Sequence, residues 1–203
     1  MGDGCRVHRN SNLPYGSDGC ASGGFDGDLV HHVTDANGVD DGLAFDDLAE
    51  SGRIEIGKAL TPLVADLIAL YLKTKNYHWH VSGSHYKEYH ELLDEQAVQI
   101  FAYIDQLAER SRKLGQPTIR SAGQVAGITR IADDDREYVA PHAMLRQLVE
   151  DNKDVVARMR ELHGLCDERS DVATASLLET FIDETERRIW FLYETTVGGD
   201  NTN

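Results

Sequence analysis

Apolar residues recur at three- and four-residue steps from Ile54 onward, after about fifty residues with little periodicity. The first such segment carries them at Leu60, Leu63, Val64, Leu67, Ile68 and Leu72. This spacing places them on one face of an α-helix. The pattern therefore predicts a helix from about Ile54 to Val81, closed by Gly83, because glycine is common just beyond a helix end.

The same periodicity predicts three further long helices and one short helix. The long ones run over about 84–114, 141–166 and 172–195, and the short one over 121–127. Gly115 follows the second long helix, and Pro141 opens the third at a position that proline favours. Four long helices with one long central connection predict an all-α four-helix bundle. We assign residues 52–197 to this bundle and 198–203 to a short polar C-terminal tail.

The N-terminal segment, residues 1–51, has a different composition. Its first 50 residues contain ten acids, two arginines and no lysine. This composition predicts a largely disordered acidic tail. A metal site at Cys5, His8 and Cys20, or at His31–Asp35, remains an alternative.

The whole chain is acidic, with 35 Asp+Glu against 20 Lys+Arg and a formal charge of −15 over 203 residues. Such a surface repels nucleic acid and anionic lipid and attracts cations. No apolar run is long enough to span a membrane, and the N-terminus shows no secretion signal. We therefore expect a soluble cytoplasmic protein that binds neither membranes nor DNA.

Candidate metal ligands cluster at the hairpin between the first two helices. His78 lies near the end of the first helix, and His90 and Asp94 share one face of the second at a spacing of four residues. Asp105 and Glu109 form another pair with this spacing further along the second helix.

The two pairs on the second helix point the same way but lie too far apart for one metal ion. Asp94 and Asp105 are separated by eleven residues, or roughly 16 Å along a helix. Metal ligands must approach the ion to about 2 Å. If both pairs bind metal, two chains must pair about a twofold axis, and symmetry then creates two identical sites.

Each of these residues also has an ordinary structural interpretation. Asp105 and Glu109 are compatible with solvated acids, Glu109 having Arg110 and Lys113 as neighbours. His78 is compatible with a buried, hydrogen-bonded histidine. The spacing of all five residues together is what favours a metal site.

The motifs resemble those of the Dps proteins, the dodecameric miniferritins of prokaryotes. The resemblance covers residues 52–195 and centres on HWHVSGSHYKEYHELLDE, which begins at His78, and on IDQLAERSRKLG, which begins at Ile104. It includes the His-Trp pair, a second histidine twelve residues on and an Asp-x-x-x-Glu-Arg motif. The segment Arg187–Thr196 is similar to the tryptophan-bearing last helix of the family.

The resemblance implies that His78, His90 and Asp94 of one subunit bind iron together with Asp105 and Glu109 of its twofold mate, in a dinuclear site. Trp79 is implied to lie beside this site and to trap stray one-electron equivalents, although a core aromatic is the alternative. The implied activity is ferroxidase: Fe(II) is oxidised, preferentially by hydrogen peroxide, and ferric oxyhydroxide is stored in a hollow 12-subunit shell that protects the cell from oxidative damage.

Some positions depart from the family pattern. His80 stands where the family more often has Asn, so His80 or His85 is a candidate to tune the site. The resemblance places residues 171–176 at threefold entry pores, but Ser176 stands where an Asp is common. The acids then expected at the pores are one or more of Asp167, Asp171, Glu179 and Asp183.

Three other functions compete with peroxide-dependent iron storage. A ferritin site inside each bundle would need Glu-x-x-His motifs, and the sequence has none. A DNA-compacting shell is disfavoured because the lysine-rich tail used by some family members is missing. A structural or divalent-metal-buffering shell with little ferroxidase activity remains open, because histidine and carboxylate ligands accept several metals.

Overall fold

The computed structural model describes residues 48–197, and all regular secondary structure in this range is helical. The helices are α1 (Glu50–His80), α2 (Tyr86–Lys113), α3 (Ala122–Ile128), α4 (Pro141–Arg169) and α5 (Val172–Thr196). The four long helices and the short helix in the central connection confirm the predicted fold class. The predicted tail, its possible metal sites at Cys5, His8 and Cys20 and at His31–Asp35, and residues 198–203 lie outside the described residues.

The predicted helix starts at Pro141 and Val172 are confirmed, and the other predicted helix ends differ from the structure by one to four residues. Gly83 adopts a φ of 107° in the turn between α1 and α2, and Gly115 a φ of 73° after α2, so both need the left-handed freedom of glycine. Helix α1 begins four residues before Ile54. Helix α4 continues through the predicted turn to Arg169, because Ser170 reverses the chain in a left-handed conformation and Asp171 already caps α5.

The apolar seam of α1 forms the centre of the core. Leu60, Leu63, Val64 and Leu67 are buried, as the periodicity predicts. Helix α1 packs against both α2 and α4, and α4 packs against α5. The first two helices therefore form one rigid hairpin, which carries the candidate ligands, and α4 and α5 form the other.

Asp66 fastens the long connection between α2 and α4 to the core. Its carboxylate is fully buried on α1 and accepts hydrogen bonds from the backbone N–H and the guanidinium of Arg130 and from Thr129 Oγ1. Arg158 of α4 donates to the same carboxylate at 3.2 Å. A buried carboxylate is stable when it is paired and fully hydrogen-bonded, and here the partners come from two different segments.

None of the helices within residues 48–197 combines the length and apolar character needed to cross a membrane.

We expect Asp66→Asn to lower the free energy of unfolding by about 2–3 kcal/mol, because it removes charged hydrogen bonds that each contribute about 1.5–3 kcal/mol. The midpoint of denaturant unfolding measures this loss. Asp154→Asn is a matched control, since Asp154 is an exposed partner of the same Arg158 at 3.7 Å. Equal effects of the two substitutions would contradict the anchoring role of Asp66.

Candidate metal centre

His78 and His90 face each other across the α1–α2 hairpin. Their rings stack with centroids 3.7 Å apart and planes inclined by 24°. His78 is buried in the last turn of α1, and His90 is half-buried in the second turn of α2. The short turn through Gly83 brings these two helix ends together.

Reciprocal hydrogen bonds fix both rings. The Nδ1 atom of His78 lies 2.9 Å from the carbonyl oxygen of His90, and Nδ1 of His90 lies 2.9 Å from the carbonyl oxygen of His78. Because a carbonyl oxygen can only accept, each Nδ1 carries the proton and donates it. In the neutral rings each Nε2 then keeps its lone pair, which is the arrangement of metal-binding histidines oriented by an outer partner.

Asp94 lies beside these rings and is held by a lysine. Its Oδ1 atom is 3.9 Å from Nε2 of His78 and 2.7 Å from Nζ of Lys75. The side chain is 54 % exposed, so it remains accessible from outside the hairpin. The hydrogen bond and charge of Lys75 lower the pKa of Asp94, and the two histidines add a smaller effect in the same direction.

Asp105 and Glu109 lie on the same side of α2, toward its C-terminal end, and both are exposed. Glu109 has Lys113 at 3.5 Å, in agreement with the structural interpretation of a solvated acid. Within residues 48–197, no three His, Cys, Asp or Glu side chains of the single chain form a cluster that can hold a metal ion. The structure places His90 and Asp94 each beside His78 without completing a metal-holding cluster. Asp105 and Glu109 lie about three helical turns further along α2.

Trp79 and the neighbouring histidines lie at the surface of the hairpin. Trp79 is exposed, and Nζ of Lys75 lies 5.9 Å from the centre of its ring, so this lysine contacts both Trp79 and Asp94. His80 is exposed and its Nδ1 lies 2.8 Å from the carbonyl oxygen of Asn76. His85 precedes the first residue of α2.

An exposed apolar strip separates the two candidate half-sites. Val98 and Phe101 of α2 lie in the same row as Asp94 and Asp105, at steps of four, three and four residues, and both are exposed. The ring of Phe101 contacts Tyr71 of α1 at 5.4 Å. Neither this strip nor Lys75 was among the residues predicted to matter, although the helical spacing of the strip is visible in the sequence.

One predicted pore residue is not available to a pore. The Asp171 side chain is buried, caps α5 by accepting from the backbone N–H of Thr174, and pairs with Arg110 at 2.7 Å. The assignment of Asp171 to a pore is therefore wrong, because its oxygens bind the chain itself. Asp167 and Glu179 are exposed, and both contact His163, at 3.2 and 3.1 Å.

Comparison with known proteins matches residues 57–197 to the ferritin-like domain. The chain is 30 % identical to antigen TpF1 of Treponema pallidum (strain Nichols) over 132 residues, which cover 65 % of this chain and 75 % of that protein. It is 27 % identical to DNA protection during starvation protein 1 of Deinococcus radiodurans over 186 residues, which cover 91 % of this chain and 88 % of that protein.

Solved structures of Dps and related proteins superpose on the helical bundle of this chain. DpsC from Streptomyces coelicolor superposes with a TM-score of 0.72 at 27 % identity, covering 74 % of this chain and 88 % of that chain. The crystal structure of antigen TpF1 superposes with a TM-score of 0.71 at 28 % identity, covering 73 % of this chain and 95 % of that chain. With the fold, the matched domain and these relatives in agreement, the chain belongs to the Dps family of ferritin-like proteins.

Proposed function

We propose that this protein stores and detoxifies iron by oxidising Fe(II), preferentially with hydrogen peroxide, at sites shared between two subunits. Iron storage and protection is the general function that membership of the ferritin-like Dps family supports. The observation that carries the finer proposal is the paired-histidine hairpin, with Nε2 of both rings left free, on a helix whose other end presents two further acids. The same proposal places the protein in the cytoplasm.

The positions on α2 support antiparallel pairing of two copies of this helix. Asp94 and Asp105, His90 and Glu109, and Val98 and Phe101 are three pairs with one common midpoint, between Gln99 and Ile100. A twofold axis at that point faces each residue of a pair toward the other residue on the partner helix. The apolar strip is then buried at the axis, and a complete ligand set forms on each side of it.

In such a dimer, each site receives His78, His90 and Asp94 from one subunit and Asp105 and Glu109 from the other. Imidazole and carboxylate ligands suit iron and leave positions open for the oxidant. Fe(II) is the substrate, and two iron ions supply the two electrons that one peroxide takes up, which avoids release of a hydroxyl radical. Trp79 lies next to Lys75, the partner of Asp94, and would intercept an oxidising equivalent that escapes.

A closed shell requires a second kind of contact, because a twofold contact alone stops at the dimer. Trp190 and Tyr193 of α5 and Val197, just beyond its end, form another exposed strip at steps of three and four residues. A groove of about 440 Å³ lies beside it, lined in part by Arg146, Glu150 and Lys153. We assign this surface to the contact that joins dimers into a dodecamer, with ferric oxyhydroxide in its cavity.

DNA binding is not part of the proposed function, because the first 50 residues carry no lysine and ten acids. The remaining alternative is a structural or divalent-metal-buffering shell with little ferroxidase activity. It uses the same ligands but predicts metal binding without fast oxidation.

Subunit complementation tests whether the site is shared. His78→Ala/His90→Ala and Asp105→Ala/Glu109→Ala are each expected to abolish fast peroxide-dependent formation of ferric absorbance after anaerobic loading with Fe(II). Co-expression of the two variants is expected to restore activity at about a quarter of the sites, because random pairing gives half heterodimers with one intact site each. Inactive hybrids would show that the ligands come from one chain. Slow oxidation by the wild-type protein, no faster than that of either variant, would favour the buffering shell.

The matched control for the second variant is Glu91→Ala/Glu95→Ala. It removes two exposed acids at the same four-residue spacing on α2 but turned by about 100° from the proposed row of ligands. We expect it to retain fast oxidation with two iron ions consumed for each peroxide.

Lys75→Met is expected to tighten binding of the divalent cation that is coordinated by Asp94 in the proposed site. The substitution keeps an unbranched side chain but removes the ammonium group that is bound to Asp94. Anaerobic titration calorimetry with Fe(II) measures the change, and Lys87→Met is the control, since Lys87 is exposed and lies 3.7 Å from Glu91. Unchanged affinity in Lys75→Met would mean that the lysine does not compete with the metal.

Measurements of particle size distinguish the role of the apolar strip on α2 from that of the strip at the end of α5. Phe101→Glu is expected to prevent the twofold contact and to abolish fast iron oxidation, since it places charge in the strip. Trp190→Ala/Tyr193→Ala is expected to leave dimers that still oxidise iron but do not retain a mineral core. Light scattering and analytical ultracentrifugation measure the sizes, and full-sized particles from the second variant would contradict the assignment of that surface.

A further inference from the structure

A hydrogen-bonded tyrosine lies inside the bundle, between α2 and α5. Tyr103 projects inward from α2 and is 2 % exposed. Its hydroxyl donates to the carboxylate of Glu184 on α5, and the guanidinium of Arg188 donates to the phenol oxygen at 3.1 Å. The proposed iron site does not use any of these three residues.

The surroundings hold the phenol rigidly. The ring of Tyr103 stacks on Phe181 with centroids 4.0 Å apart and planes inclined by 16°. Arg188 is buried, lies 5.1 Å from the ring centre, and also donates to Asn152 and Thr185. The phenol is therefore screened from solvent and fixed from three sides.

This arrangement has the parts that a one-electron donor needs. A phenol that loses an electron becomes a strong acid, so it is oxidised readily only where a base can take its proton. Glu184 accepts the hydrogen bond from Tyr103 and is itself exposed, so it offers a carboxylate to that proton and a path to solvent. Arg188 can keep donating to the oxygen after oxidation, and burial protects the radical from further reaction.

We propose that Tyr103 is an internal one-electron donor that quenches oxidising radicals formed at the iron site. The inference rests on the proposed function for its oxidant. When peroxide meets a single Fe(II), the products are Fe(III), hydroxide and a hydroxyl radical. Tyr103 supplies one electron, which reduces that radical to hydroxide, and its proton moves to Glu184 as the neutral tyrosyl radical forms.

A second Fe(II) closes the cycle. It gives one electron to the tyrosyl radical and becomes Fe(III), and the proton returns from Glu184 to the phenol oxygen. The net reaction is the oxidation of two Fe(II) by one peroxide, even when iron arrives one ion at a time. Tyr103 is two residues from Asp105 on the opposite side of α2, so the electron crosses a helix about 10–12 Å in diameter.

Tyr77 provides a control within the same chain. Its hydroxyl also donates to a carboxylate, that of Asp134, and it is equally buried. Arg136, however, binds both oxygens of Asp134 at 2.7 Å and holds the pKa of that carboxyl well below its usual range. Asp134 is therefore a weak proton acceptor, and the geometry does not favour oxidation of Tyr77.

Freeze-quench electron paramagnetic resonance on the assembled full-length protein tests the inference. After loading with one Fe(II) per site and addition of peroxide, the wild-type protein is expected to show a long-lived tyrosyl radical. Tyr103→Phe is expected to abolish it while keeping the ring stack, and Glu184→Gln to weaken it by removing the base. Tyr77→Phe is expected to retain it. An undiminished signal in Tyr103→Phe, or its loss in Tyr77→Phe, would overturn the inference.

A photogenerated one-electron oxidant, a ruthenium tris-bipyridine complex with persulfate, replaces iron and peroxide in a parallel experiment. A long-lived radical that depends on Tyr103 here, in a protein that does not oxidise iron, would support the donor and refute the proposed function. Normal iron oxidation without a Tyr103 radical in either experiment would refute the donor and leave the proposed function intact.

Discussion

The fixed rise of helix α2 is the constraint on which the functional interpretation depends. A straight helix that carries two pairs of potential ligands on one side, roughly 16 Å apart, cannot fold one pair back onto the other. The described chain accordingly presents three candidate ligands at the hairpin and two exposed acids further along. The exposed Val98 and Phe101 lie between them, and this combination makes dimer formation and site formation one event in the proposed function.

The side chains of the α1–α2 hairpin are already held in place within the single chain. The reciprocal bonds between His78 and His90 tie each ring to the opposite helix, so the same two contacts close the hairpin and fix the tautomer of both neutral rings. Lys75 neutralises Asp94 in the free chain and keeps an exposed carboxylate from standing without a partner. A cation that binds Asp94 must therefore displace or share an ammonium group, which links metal affinity to a residue outside the ligand set.

The periodicity of apolar residues was sufficient to predict the helices, because the buried face of α1 repeats with helical spacing in the sequence. Gly83 and Gly115 mark the turns that follow α1 and α2. Periodicity failed where a distant side chain decides the outcome. The contact of Arg169, at the end of α4, with Glu55 on α1 at 2.7 Å is one that no local sequence pattern indicates. Asp171 was assigned to a pore from the family resemblance of its segment. The sequence alone does not distinguish an aspartate that lines a pore from one that caps a helix, as Asp171 does. The sequence spacing correctly placed His90 and Asp94 beside His78, and the role of these residues as ligands stays a prediction. The contacts of Lys75 and the burial of the Tyr103 phenol are visible only in the folded bundle.

The carboxylate of Asp66 also sets the order in which the chain can fold. Its partners Arg130 and Arg158 lie 64 and 92 residues further along the chain. Burying an unpaired carboxylate is strongly unfavourable, so the central face of α1 stays hydrated until both arginines have been synthesised and brought back to it. We therefore expect the bundle to close late and as a unit rather than helix by helix from the N-terminus.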